Sequence, residues 1–415
     1  MANTFMSRRS SWLVKAGLAV GAVMMAMVSL WGGQNLALAQ SGEAKNAASQ
    51  AADTASSPAS GSSVPLLADT IKPTRRWAVI PRVTTQLKPK DIGVVINTED
   101  PYSVAVGQYY IKARGIAPQQ VLRLKLPINQ PALSRGEFAD LARKVDQFYG
   151  DKVQGLALTW RMPFAVECNS ITGALAMGFD PDLCKPTSDS KLKPHSCDPS
   201  RASRYFGSGS SRPYHDFHMR LGMLLAAPDV TAAKALIDRG VAADGSQGLL
   251  GKPPSHLHFV TTSDQARSVR EVLFPPAGPV TALNVDVHLD QAESLKNVSR
   301  VLIYQTGRVK VDDLDTVDFV PGALADHLTS FGGALEQPHG QMTVLSWIGA
   351  GATASYGTTS EPCSYPQKFP HPQALFLFYA QGATALEAYW KSVAWPQQGL
   401  FVGEPLAAPF QHPER

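Results

Sequence analysis

Charge is scarce in this chain. Asp, Glu, Lys and Arg make up 17% of its 415 residues, and 38 basic against 34 acidic side chains leave a formal net charge of +4. A balance this even lacks the dense basic face that nucleic-acid binding demands, so no nucleic-acid partner is expected. Cysteine is scarcer still, at four residues. That is too few for a disulfide scaffold, and a chain that is 44% hydrophobic can build its core without one. The 33 Gly and 31 Pro follow no repeat, which removes collagen-like and solenoid architectures. Familiar catalytic signatures are missing as well: there is no Gly-x-Ser-x-Gly elbow, no His-Glu-x-x-His pair and no Gly-x-Gly-x-x-Gly turn. Gly248-Leu249-Leu250-Gly251-Lys252 ends like a P-loop, but Ser246 stands where its first glycine belongs and Pro253 replaces the Ser/Thr. Nothing here calls for a nucleotide or for any other cofactor.

What is present begins with an address. Arg8, Arg9 and Lys15 precede an apolar stretch from Ala16 to Leu30, and Ala37-Leu38-Ala39 has the small-x-small pattern that signal peptidase cuts. Cleavage after Ala39 leaves 415 − 39 = 376 residues. Ser7-Arg8-Arg9 opens the alternative of a twin-arginine route. No later run is long and apolar enough to span a bilayer, so the expected location is periplasmic or extracellular, with no membrane span after signal cleavage. Residues 40–70 are Ala, Ser, Gly and Thr with scattered charges; they have little to bury, and a flexible tether follows.

From residue 71 the pattern alternates between strand and helix. Ile92–Ile96 is a short β-branched run, the mark of a strand buried on both faces. Asp100-Pro101 opens a helix through Arg114, Val121–Leu126 reads as a strand, and Ser134 with Glu137 forms a capping-box pattern for a helix to Tyr149. Val153–Trp160 is the next strand. Further on, helices are expected at Phe217–Leu225, Val230–Ala242, Ser263–Leu273, Gln341–Ala350 and Ala383–Ser392. Strands are expected at Leu257–Thr262, Thr281–Leu289, Val301–Thr306 and Ala352–Thr359. This is the grammar of an α/β fold, a mostly parallel sheet flanked by helices, with a Cys-bearing loop insert at 161–216. One α/β domain over 71–415 is the first reading; two lobes, 71–245 and 246–415, are the second.

Open parallel sheets bind ligands beyond the carboxyl ends of their strands. The polar clusters expected there supply the candidate binding residues Asp100, Arg161, Glu167, Ser330 and Glu361, with Arg161 suited to an anionic group. Asp326-His327 lies in what reads as a glycine-ended polar loop, with a carboxylate beside a titratable imidazole. Among the cysteines, Cys184 and Cys197 enclose a short loop and are the expected pair, leaving Cys168 for Cys363. A metal set of Cys184, His195 and Cys197 is the sharper alternative. His256 and His258 share one face of a strand and could reach one metal; His215 and His218 could do so on a helix. The aromatics Tyr389, Trp390, Trp395, Phe401 and Phe410 are expected to close a core.

The segments IGVVINTEDPYSVAVGQYYIKARGI, LALTWRMPFAVEC, DHLTSFGG, GATASYGTTSEPC, EAYWKSVAWP and FVGEPLAAPF resemble a family of exported bacterial proteins known only as conserved hypothetical proteins. More remotely, the layout resembles the caspase–haemoglobinase class of cysteine peptidases, the gingipain type above all. That resemblance implies a His followed by glycine after one strand and a nucleophilic Cys after the next. His327, or His339 before Gly340, and Cys363 match these positions. GATASYGTTSEP departs from the pattern, because it is similar to the strand after the nucleophile strand. Three readings follow: an exported protein of peptidase-like ancestry that binds a small-molecule, peptide or envelope ligand; a cysteine hydrolase using Cys363 and His327; and a metal-dependent enzyme using His256 and His258.

Overall fold

The computed structural model describes residues 75–186, 193–336 and 340–411. The expected leader, its tether and His339 lie outside them. In chain order the strands are β1 (Ile92–Asn97), β2 (Val121–Leu124), β3 (Ala132–Leu133), β4 (Gly155–Leu158), β5 (Ala165–Val166), β6 (Asn169–Ser170), β7 (Leu221–Leu224), β8 (Ser255–Thr261), β9 (Gly278–Val280), β10 (Val285–Gln291), β11 (Val298–Gly307), β12 (Val317–Leu328), β13 (Ala354–Thr358) and β14 (Gly399–Gly403). The α-helices are α1 (Pro101–Arg114), α2 (Arg135–Tyr149), α3 (Ile171–Met177), α4 (Pro213–Phe217), α5 (Val230–Ala243), α6 (Val344–Ala350), α7 (Pro372–Ala380) and α8 (Ala385–Ser392).

Local chemistry sets several of these boundaries. Asp100 accepts the Tyr102 N–H at 2.9 Å to start α1. Gly115, at φ 64°, ends that helix in the left-handed region that glycine tolerates. Ser134 and Glu137 form the capping box of α2. Elsewhere the structure corrects the expectation. Phe217–Leu225 is not a helix: α4 stops at Phe217 and β7 follows. In Ser263–Leu273 only Ser268–Leu273 is helical, as a 3-10 turn. The supposed polar loop at 326–333 begins inside β12, where Asp326 and His327 are fully buried.

Eleven strands form one sheet, in the order β2-β1-β4-β7-β14-β13-β12-β11-β8-β10-β9, and β3, β5 and β6 form a small second sheet. The α/β fold with a large, mostly parallel sheet flanked by helices is therefore as expected. Its polarity is not. β2, β1, β4, β7 and β14 run one way. β14 then pairs antiparallel with β13, so β13, β12, β11, β8 and β10 run the other way. The sheet thus holds two parallel blocks of five strands whose carboxyl ends lie at opposite edges. At the junction, a Cβ on Gly399 would collide with Tyr356 and one on Gly403 with Ala354, so the two strands close only with glycine at both ends of β14.

Trp160, Trp347 and Trp390 are wholly buried, and each indole N–H finds an acceptor, in Pro163 O, His327 Nδ1 and Gly222 O. Tyr389, Trp390, Phe401 and Phe410 are buried too, so these aromatics do close the core as expected; Trp395 is half-buried against Tyr365.

Candidate functional site

The reversal of the sheet separates residues expected on one rim. Asp100 and Arg161 both lie beside Tyr102, beyond the carboxyl ends of β1 and β4. Arg161 lies over the Tyr102 ring at 5.2 Å and donates to Pro228 O at 2.8 Å. Tyr102 gives its hydroxyl proton to Leu225 O, and burial raises its pKa. Ser330 and Glu361 lie at the opposite edge: Ser330 O accepts from the Thr358 hydroxyl, and Glu361 accepts the Cys363 N–H at 2.8 Å. Glu167 joins neither rim and instead pairs with Arg135 at 2.9 Å on the surface. The five residues form no common pocket.

The cysteine pairing is also corrected. Cys168 bonds Cys184 and Cys197 bonds Cys363; among the described residues no cysteine is free. The shortest enclosed loop was a poor guide because β5–β6 turns Cys168 back towards Cys184, while the segment around Cys197 packs near the loop after β13. With both sulfurs oxidised, Cys363 carries no thiolate for nucleophilic attack. His327 is equally spent: Nε2 donates to Met342 O at 3.1 Å and Nδ1 accepts from Trp347 at 2.9 Å. Burial pushes its pKa down to about 3, so it stays neutral. Neither ring nitrogen is left to activate a nucleophile. The sulfurs of Cys197 and Cys363 gather with a Glu361 oxygen within 4.8 Å, but disulfide sulfurs are not thiolate ligands. The Cys184–His195–Cys197 metal set is likewise undone, and His195 turns to Asp198 at 3.0 Å.

A cleft of about 590 Å³ opens instead between α2, the end of α3 and residues 201–220. Phe138, Leu175, Met177 and Phe217 give it apolar walls; Arg201, Arg204 and Arg220 give it positive charge, and His218 lines it as well. Arg220, just ahead of β7, is 3% exposed. It pairs with Asp146 at 2.6 Å and lies over the Tyr214 ring at 3.9 Å, and its Nε is a buried donor without a partner. Arg204 stacks over Phe217 at 5.3 Å and makes no ion pair with a described carboxylate. Arg201 braces the lip by donating to Met177 O at 2.8 Å. Asp146 is the one carboxylate lining the cleft, against three guanidinium groups. Concave sites of this size with a few convergent polar groups are a usual form of ligand site.

The paired histidines part company. His215 turns to Asp216 at 2.8 Å, and His218, left-handed at φ 56°, lines the cleft. His256 and His258 do share one face of β8, and β10 adds to them. His258 lies opposite His288, and His256 opposite Asp286. His256 Nδ1 is 3.0 Å from His288 Nε2, and His258 Nδ1 is 2.8 Å from Asp290 Oδ2. Burial, reinforced by the neighbouring imidazoles, holds His256 and His288 below the ordinary histidine range.

The cleft arginines were overlooked because they are scattered through irregular chain with no period to connect them. His288 and Asp290 were findable. The sequence His288-Leu289-Asp290 alternates as His256-Leu257-His258 does, and strand alternation sends such residues to one face. No family model, no curated protein and no solved structure matches this chain.

Proposed function

We propose that this is an exported binding protein whose ligand joins an anionic group to an apolar body and sits in the α2–α3 cleft. Three guanidinium groups facing a single carboxylate in a cleft with apolar walls is the observation that carries this reading. Arg204 and Arg220 supply the charge: Arg204 pairs with no carboxylate among the described residues, and Arg220 is held in place by Asp146, Tyr214 and Gly150 O. Two disulfides suit an oxidising compartment outside the cytoplasm. Peptidase-like ancestry remains part of the reading, supported by His327 at the end of β12 and Cys363 after the adjacent parallel strand β13. The chemistry of that ancestor is not retained, since the thiol is oxidised and the imidazole is occupied.

Phenyl phosphate and benzyl alcohol, titrated calorimetrically into the full chain, test the assignment. Phenyl phosphate should bind, and Arg204→Ala should weaken it about tenfold, the loss of one charge-assisted contact. Arg143→Ala, an exposed arginine paired with Asp140 outside the cleft, should leave binding unchanged. Equal binding of the neutral alcohol, or equal losses in both variants, defeats the reading.

A further inference from the structure

The face of the sheet that holds the apolar cluster around Trp347 turns polar at its β8–β10 end. β10 alternates with Val285, Val287 and Leu289 towards the core and Asp286, His288 and Asp290 towards the other side. β8 does the same, with Leu257 and Phe259 inward and His256 and His258 on the second face. Further along that face, Val260, Tyr304, Ala325 and Trp347 form an ordinary apolar cluster. Helix α6 packs against β12 and β13, and the β8–β10 end keeps His256, Asp286, His288 and Asp290 half-buried. Three imidazoles and two carboxylates on two neighbouring strands contradict the apolar pattern of their own sheet. Such local conflicts mark functional positions.

We propose that His256 and His288 are the direct ligands of one divalent transition-metal ion, completed by Asp286 and backed by the His258–Asp290 pair. The geometry fits. Two nitrogens, each about 2.0–2.1 Å from one zinc ion, stand about 3.0–3.4 Å apart. His256 Nδ1 and His288 Nε2 are 3.0 Å apart. Asp286 stands opposite His256 in register, two residues from His288 on the same face, and its charge acts on both imidazoles; as third ligand its carboxylate would have to swing in towards the two nitrogens. His258 stacks on the His288 ring at 4.6 Å with planes 14° apart, and Asp290 anchors His258 in turn. Stacking on His258, itself tied to Asp290, limits rotation of the His288 ring. Arg300 is the nearby cation, and its guanidinium is already turned to Pro253 O and Pro254 O. Two histidines and one carboxylate leave coordination positions open to water or a ligand, and imidazole-rich sets favour zinc, copper or nickel over calcium and magnesium. The site is independent of the arginine cleft.

Zinc chloride titrated calorimetrically into the chelator-stripped full chain reads the site directly. One equivalent should bind, and zinc should raise the melting temperature. His256→Ala and His288→Ala should each weaken binding at least tenfold, whereas the double variant His215→Ala/His218→Ala, which removes the other histidine pair, should bind as wild type does. Asp286→Asn replaces a half-exposed side chain by an isostere; it should melt normally without metal and lose most of the zinc-induced rise, which keeps the test valid if the alanine variants fail to fold. Absence of stoichiometric zinc in wild type overturns the proposal. So does full zinc stabilisation in Asp286→Asn together with either alanine variant, or loss of binding in His215→Ala/His218→Ala.

Discussion

The two parallel blocks of the sheet solve the same problem with different chemistry. In the block containing β1 and β4, the buried network that joins β1, α1 and the end of β4 is neutral. Asn97 donates its backbone N–H to Ser103 Oγ and exchanges side-chain bonds with Leu126, while Ser103 meets Thr159 at 2.8 Å. In the block containing β11 and β12, the equivalent depth holds charge. Arg270, 2% exposed, bonds Asp326 at 2.6 Å and Thr306 O at 2.8 Å, and Gln305 donates to the other Asp326 oxygen. Burial raises the Asp326 pKa against the pull of Arg270. A neutral network loses modestly when one member goes, but an ion pair out of water leaves its survivor stranded. The Asn97 network should therefore tolerate mutation where the Asp326 pair does not.

The largest effect tests that contrast directly. Asp326→Ala should destabilise the protein by about 3–5 kcal/mol in urea unfolding, because Arg270 keeps its charge without a partner. Asn97→Ala should cost only about 1–3 kcal/mol. Equal losses would erase the distinction between the two networks.

Acid should find the second block next. The folded protein keeps His327 neutral down to about pH 3, whereas the unfolded chain protonates it near the ordinary histidine value of 6.5. The depressed value means that stability is complete above about pH 6.5 and drains away on acidification towards pH 3, by roughly 1.4 kcal/mol per pH unit. His327→Gln, which can still donate to Met342 O and accept from Trp347, should flatten this part of the acid profile. An unaltered slope counts against a buried neutral imidazole.

The smallest expected difference concerns the covalent ties. Cys197–Cys363 spans 166 residues and joins the insert to the loop after β13, whereas Cys168–Cys184 spans 16. On the loop-entropy account, removing the longer tie costs about 2 kcal/mol more. Paired Cys→Ser variants, compared by urea midpoint, measure the difference; a greater loss from Cys168→Ser/Cys184→Ser would show that native contacts in the insert outweigh loop length.

Much of the first block was legible from sequence, because β1, α1, α2 and β4 carry unbroken apolar runs or explicit caps. The second block was harder to read. β12 includes Asp318, Pro321, Gly322, Asp326 and His327, residues that look like loop until Arg270 and Trp347 arrive from elsewhere in the chain to satisfy the last two. α7 is apolar nearly all round (PQALFLFYA) and so shows no amphipathic period. The direction of a strand leaves no local trace at all. Without β14 paired antiparallel to β13, the polar segments after β1 and β13 look like neighbours on one rim, and the expectation of a shared pocket came from that ambiguity.

β14 follows every other strand in sequence yet occupies the middle of the sheet. The hydrogen-bonded seam between the halves thus waits for residues 399–403, however early either half takes shape. During amino-first synthesis the protein must carry two raw strand edges, on β7 and on β13, until the final element slots between them like a keystone. Until that moment the nascent molecule depends on something else to keep those edges from finding partners in other chains.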